Sequence, residues 1–173
     1  MGKGEFVRDG YIVKNASDRA LGTDELAEIN RYTRRAFTAD EVYAFTVVLC
    51  DSEVDRDYER FTVDALQKLS ELYLGKTGIF DHSMKSSDQT ARIFSTKVET
   101  DESRRTAAGE PYSRLVARAY LPRTAKNADL ILEIESGIKK EVSVGCAVNK
   151  VTCSICGGNM KLGGCNHMWE KQF

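Results

Sequence analysis

Two groups of residues in this chain have types and spacings that could do chemistry. The first pairs Ser143 with His82. In "KKEVSVGCAVNKVTCSICGG" (139–158), Val142, Val144, Cys146 and Val148 alternate as the buried side of a strand, which sends Glu141, Ser143, Gly145 and Ala147 to the other side. A serine on a strand is most commonly a solvent-facing residue. Here Gly145 and Ala147 leave an open floor beside the hydroxyl that a substrate backbone could occupy. One of the two histidines, His82, follows "GIFD" at the end of another strand, where a side chain can project into a cleft. A serine hydroxyl is unreactive until an imidazole takes its proton, so Ser143 and His82 are candidates for nucleophile and general base. Their spacing carries no local signature of the G-x-S-x-G kind. For a third group, Asp81 adjoins His82 but points away on an extended chain, and Glu141 shares the Ser143 face two residues away.

The second group is Cys153, Cys156, Cys165 and His167, in the pattern C-x2-C-x8-C-x-H. Three thiols and an imidazole make a common closed zinc set, and a closed set of four leaves no open position for chemistry. "CSICGG" has the form of a knuckle whose glycine turns let backbone amides face the thiolates. A structural zinc clip is therefore expected at the C-terminus, with three incidental thiols as the plainer alternative. Zinc knuckles can bind nucleic acid, but the tract offers only Lys161 and Trp169 nearby, so a structural clip or partner contact is the better reading. Cys50 and Cys146, on apolar strand runs, read as buried thiols.

These groups need rigid elements to hold them. Residues 1–22 are polar and weakly patterned and read as a flexible N-terminal arm. Thr23 can cap a helix through Ala36 with Leu26, Ile29 and Tyr32 on one stripe. "EVYAFTVVLC" (41–50) is a central strand, broken by the polar turn "DSEVDRDYERF". Thr62 starts a second helix whose Ala65, Leu66, Leu69, Leu72 and Tyr73 share a face, ended by Gly75. "TGIFDH" (77–82) and "ARIFSTKVE" (91–99) are strands with the loop "SMKSSDQT" between them. "TDESRRTAAGEP" (100–111) is an exposed hairpin connection or mobile flap, and "SRLVARAYL" (113–121) a half-buried strand. "KNADLILEIESG" (126–137) is a helix with Leu130, Ile134 and Ile138 four apart. The expected fold is α+β: a mostly antiparallel sheet or barrel of five or six strands wrapped by about three helices, with residues 23–150 as the main domain and 151–173 as the clip.

The bulk composition narrows the function classes. The chain has 173 residues, 42% hydrophobic and 29% charged, enough for one domain with a real core. A formal charge of −1 gives no electrostatic reason to expect nucleic acid or an anionic membrane. No apolar run reaches the ~18 residues of a membrane span, and "MGKGEFVRDG" lacks the apolar core of a signal peptide. Five cysteines are an odd number and three crowd into residues 153–165, which fits a reducing, intracellular setting better than a disulfide framework.

On top of these readings, "GKTGIFDHSMKSSDQTARIFSTKVE" (75–99) followed downstream by "ADLILEIESGIKKEVSVGCAV" (128–148) resembles the prohead (capsid maturation) serine proteases of tailed phages, with herpesvirus assemblin as a distant relative. "DSEVDRDYERFTVDAL" is similar to that family's Asp-Arg-rich turn leading into a helix. The likeness spans roughly 41–150 and rests on the order and spacing of short motifs. It implies that Ser143 is the nucleophile and His82 the general base of an endopeptidase. Backbone N–H groups, or Arg114 and Arg118, would serve the oxyanion. The implied partners are phage scaffold and major capsid protein, with self-association or self-cleavage included, inside an assembling prohead in a bacterial cytoplasm. The assemblin branch uses a second histidine downstream of its serine, which makes His167 a further candidate against its metal role. The family continues into a final strand with an E-x-S-x-V-x-x-P-like pattern that this sequence lacks. The alternative is therefore a catalytically inactive capsid-assembly or zinc-stabilised interaction module with the same fold.

Overall fold

The computed structural model describes residues 5–13, 21–83 and 85–167, with Glu5 and Phe6 as backbone alone. Residues 1–4 and 14–20 of the expected arm, Met84 in the loop after His82, and Trp169 with the rest of 168–173 lie outside the described residues. The chain runs β1 (Glu5–Ile12), α1 (Thr23–Asn30), β2 (Val42–Asp51), α2 (Val63–Tyr73), β3 (Thr77–Ile79), β4 (Gln89–Arg105), β5 (Pro111–Pro122), α3 (Ala128–Glu135) and β6 (Glu141–Ala147). The six strands form one antiparallel sheet in the order β3-β4-β5-β2-β1-β6, curled into a half-barrel. The fold is α+β, as the sequence pattern implied.

The sheet buries both faces. Tyr43, Phe45, Val47, Leu49, Leu115, Ala117, Ala119 and Leu121 pack with Leu66 and Leu69 of α2 and Ile131 of α3. On the opposite face, Val42, Phe94 and Tyr120 pack with Ile29 of α1. Strand β5 is consequently covered on both sides, where alternation alone suggested half burial: Val116 and Tyr120 are as buried as the residues between them. Arg118 is also buried there. Its guanidinium donates from Nε and Nη2 to the Glu25 carboxylate at 2.9 and 3.2 Å and from Nη1 to Thr46 Oγ1 at 3.1 Å, pinning α1 to the sheet.

Helix α1 is shorter than its stripe suggests. Gly22, not Thr23, is its N-cap residue, and the helix ends at Asn30. The Asn30 side chain then turns the chain back, accepting from Phe37 N–H at 2.8 Å and donating to Phe37 C=O at 3.1 Å. Helix α2 follows the expected start, with Thr62 Oγ1 accepting from Ala65 N–H at 3.2 Å. Leu72 of its stripe is exposed, however. On α3 the buried residue is Ile131, and Ile138 is 75% exposed in the turn beyond the helix.

Two further elements correct the sequence reading. The first 22 residues are not an arm throughout: Glu5–Ile12 forms β1, between β2 and β6. Its sequence EFVRDGYI alternates poorly because Arg8 occupies an inward position. Arg8 forms an ion pair with Asp55, another with Glu59 at 3.4 Å, and lies 5.3 Å from the centroid of the Phe61 ring. A buried charge needs such partners. The expected flap is also more ordered than its polarity suggests. β4 continues to Arg105, and only Thr106–Glu110 turn, with Thr106 N–H donating to Glu110 C=O at 2.9 Å. Cross-links to the loop after β2 hold this hairpin: Arg60 with Glu110, Ala107 N–H to Glu53 Oε1 at 2.7 Å, and Tyr112 OH to Asp51 Oδ2 at 2.9 Å. The Asp-Arg-rich loop 51–61 thus binds both β1 and the hairpin.

Candidate active site and metal centre

β3 and β6 are the two ends of the sheet order, so a flat sheet would hold them far apart. The curl closes that distance. His82 Nε2 lies 2.6 Å from Ser143 Oγ, across 61 residues of sequence. His82 is not on the strand itself. β3 stops at Ile79 and a single turn, Phe80–His82, follows. Asp81 and His82 both have left-handed backbones, with φ of 51° and 53°. Left-handed non-glycine residues cost free energy and persist only where surrounding structure holds them. This turn aims the imidazole at β6 rather than along β3.

β6 presents Ser143 through its pairing with β1. Val144 is buried, and Val142, Cys146 and Val148 pack against the main core, which leaves Ser143 on the exposed side. The register sets Asp9 opposite Ser143, Val7 opposite Gly145 and Tyr11 opposite Glu141. Ile12 N–H donates to Lys140 C=O at 2.7 Å, which makes Ile12 and Lys140 a hydrogen-bonded pair. Counting along the ladder, Asp9 and Ser143 are a non-hydrogen-bonded pair, whose side chains stand closest together. Asp9 therefore stands on the same face of the ladder as Ser143, in a stretch that sequence reading had assigned to an arm, and among the described residues no hydrogen bond joins its carboxylate to Ser143 or His82. The missed signal was the alternation of Val7, Asp9 and Tyr11, obscured by the inward charge of Arg8.

Of the other candidates, Asp81 makes no hydrogen bond to His82 among the described residues, and Glu141 shares the exposed face of β6 but pairs with Lys140 at 3.5 Å. Arg114 donates to Glu99 from Nε and Nη2 at 3.1 and 2.9 Å, and Arg118 is committed to Glu25. Among the described residues neither arginine hydrogen-bonds to Ser143 or His82. A cleft of about 800 Å³ opens beside the hairpin, lined by residues including Glu99, Asp101, Arg104 and Tyr112, and includes neither member of the pair.

The four sulfur and nitrogen ligands converge as their spacing implied. The ligand atoms of Cys153, Cys156, Cys165 and His167 all lie within 4.8 Å of one another and could hold a metal ion. His167 Nδ1 lies 3.6 Å from Cys153 Sγ and 3.3 Å from Cys165 Sγ, and the Cys156 and Cys165 sulfurs are 3.5 Å apart. A tetrahedral zinc with bonds of about 2.0–2.3 Å has ligand–ligand edges of about 3.3–3.8 Å, so the spacing is compatible with zinc. The knuckle is built from backbone: Gly157 N–H donates to Cys153 C=O at 2.9 Å and Cys153 N–H to Gly158 C=O at 3.0 Å. N–H groups of Cys156 and Ile155 hold the Cys153 thiol down, to about 6. A Cβ on Gly158 would meet Gly164 C=O at 2.2 Å, so only glycine fits that crossing. Lys161 Nζ donates to Val148 C=O, joining the clip to the chain leaving β6. With its Nδ1 turned to two cysteines, His167 stands in this cluster, and the bond to Ser143 comes from His82.

Cys50 is fully buried and its thiol pushed up to about 12 by burial; Cys146 is half-buried, and neither forms a disulfide. Among the described residues, no helix is long and apolar enough to cross a membrane. Compared with known protein families, characterised proteins and solved structures, the chain shows no significant match.

Proposed function

We propose that this protein is a serine endopeptidase with Ser143 as nucleophile and His82 as general base. The observation that carries the reading is the 2.6 Å contact between His82 Nε2 and Ser143 Oγ, made between the opposite ends of the sheet order by a strained turn. In the reaction, Ser143 Oγ bonds to the scissile carbonyl carbon as its proton passes to His82 Nε2. The imidazolium returns that proton to the leaving amine as the C–N bond breaks. Water then attacks the acyl-enzyme, giving a proton to His82, and expulsion of Ser143 Oγ restores the free hydroxyl. Asp9, paired with Ser143 in the β1–β6 register, is the acidic residue of the ladder proposed to favour the imidazolium by its negative charge.

The resemblance to prohead proteases supplies the substrate class: segments of scaffold and capsid protein inside an assembling phage shell in a bacterial cytoplasm, with the chain itself as a further target. Zinc is the metal proposed for Cys153, Cys156, Cys165 and His167, as a structural clip with no part in bond cleavage. Reaction with a small fluorophosphonate tests the catalytic reading. It should add one phosphonyl group at Ser143 in the native protein and none in Ser143→Ala. A folded native protein that stays unlabelled at Ser143 would support the second reading, an inactive assembly module. That second reading draws on one observation, that among the described residues no carboxylate bonds to the His82 ring.

A further inference from the structure

Strands β1 and β6 form a two-stranded ribbon, paired from Glu5 with Ala147 to Tyr11 with Glu141. The ribbon's backbone joins the rest of the sheet at one end, where Tyr11 and Ile12 pair with Val48 and Val47 of β2 and Val13 N–H donates to Thr46 C=O at 2.9 Å. Ser143 and Gly145 lie further along, opposite Asp9 and Val7. The ladder to β1 does not hold their peptide groups. Since Ile12 and Lys140 are a bonded pair, Val142, Val144 and Cys146 take the bonds to β1, and the backbone groups of Ser143 and Gly145 turn the other way. The Gly145 carbonyl accepts instead from the side chain of Tyr73, whose hydroxyl donates to it at 3.0 Å.

Tyr73 is the last residue of α2, and the chain that follows it carries β3 and the His82 turn. That stretch is stitched to β4: Thr96 Oγ1 donates to Ser70 C=O at 3.0 Å, Gly75 N–H to Ile93 C=O at 3.0 Å and Ile93 N–H to Lys76 C=O at 2.9 Å. Two side-chain hydrogen bonds therefore cross from this stretch to β6, one between Tyr73 and Gly145 and one between His82 and Ser143. The second is the catalytic contact and changes as the proton moves. The first involves no reacting atom and persists. Burial pushes the Tyr73 phenol above the ordinary tyrosine range, so its hydroxyl keeps its proton and stays a donor wherever an imidazole acts as base. We propose that Tyr73 is a positioning residue for this site: by holding the Gly145 carbonyl it fixes β6 against the α2–β3 stretch and keeps Ser143 within reach of His82. The inference rests on the peptidase reading and deepens it. The tolerance it serves is small, because misplacing a reacting group by about 1 Å can cost about 100-fold in rate.

The experiment compares Tyr73→Phe with the native full chain. The substitution removes one oxygen and keeps the ring that packs against the core. Water can replace the phenol at the half-buried Gly145, so the melting temperature should fall by no more than about 4 °C. Two readouts then follow the site. The first is labelling by a small fluorophosphonate, in which Ser143 Oγ bonds to phosphorus, its proton passes to His82 and fluoride leaves. Its rate should fall about 10- to 100-fold in Tyr73→Phe. The second is nitrogen NMR of the His82 ring in the unlabelled protein. Native protein should show a single tautomer, with Nε2 accepting from Ser143, and Tyr73→Phe should move toward the mixture of a free histidine. A hydroxyl with a merely structural role would lower the melting temperature and leave both readouts at their native values. That result overturns the proposal and leaves the peptidase reading standing. So does a labelling rate within about twofold of native, or a slowed rate with unchanged His82 ring signals. If native protein is not labelled at Ser143 at all, the peptidase reading falls and the positioning role with it.

Discussion

His82 and Ser143 owe their contact to two local features, and each can be removed singly. The left-handed turn at Asp81–His82 aims the ring, and the β1–β6 ladder sets the hydroxyl on the open face. Ser143→Ala should cut peptide-bond hydrolysis on the order of 10⁴-fold with melting temperature unchanged, because the side chain is exposed. A marked fall in melting temperature would make the hydroxyl structural. Asp9→Asn should slow fluorophosphonate labelling about tenfold, with the gap narrowing at high salt as screening replaces the lost charge. An unchanged rate would leave Asp9 as surface. At this scale the sequence offered Ser143, His82 and the four metal ligands as candidates: strand alternation exposed the Ser143 hydroxyl and local spacing grouped the ligands, while the pairing of Ser143 with His82 was implied by the family resemblance and carried no local signature. Asp9 was hidden: its position opposite Ser143 exists only through a pairing between residues far apart in the chain.

Among the elements, β1 decides whether β6 has a neighbour at all. Two features dock it. Arg8 reaches into the loop after β2 to meet Asp55 and Glu59, and Gly10 passes so close to β2 that a Cβ would meet Val48 C=O at 2.3 Å and Leu49 C=O at 2.6 Å. Arg8→Ala removes a buried cation from between two half-buried carboxylates, Asp55 and Glu59, and should cost about 2 kcal/mol in denaturant unfolding. Gly10→Ala should cost about 2 kcal/mol through overpacking against rigid carbonyls, and should lower labelling of Ser143 as the ladder shifts. Wild-type stability in both variants would mean β1 is not anchored as described. Elements with strong periodicity, β2, β5, α2 and α3, were legible from pattern alone. β1 was not, because its inward residue is a charge whose partners lie more than forty residues away. The β4–β5 hairpin was read too short for a similar reason: its polar residues satisfy one another and loop 51–61, so their polarity reflects cross-links and not absence of structure.

For the whole molecule, the curl of a six-stranded antiparallel sheet joins its ends into one site, and a separate metal-ligand cluster closes the described chain. The class of the fold followed from alternation and helix stripes, whereas the curl depends on how α2 and α3 fill the inner face, which no local pattern encodes. The clip is tied to the chain leaving β6 by Lys161, whose Nζ donates to Val148 C=O. One zinc per chain is expected by elemental analysis. Chelation should speed amide exchange in residues 150–167 and leave the β-sheet circular dichroism intact; global unfolding would show that the cluster supports the core. Because thiols and imidazole must lose protons to bind, zinc should be retained at neutral pH and released as pH falls toward 5. The most direct test of the central claim is mass spectrometry of Ser143 after fluorophosphonate treatment, in native protein and in His82→Ala. A single adduct on the Ser143 peptide of native protein, lost in the folded His82→Ala variant, is the predicted result. Equal labelling of both proteins, or none of either, would contradict a serine activated by His82.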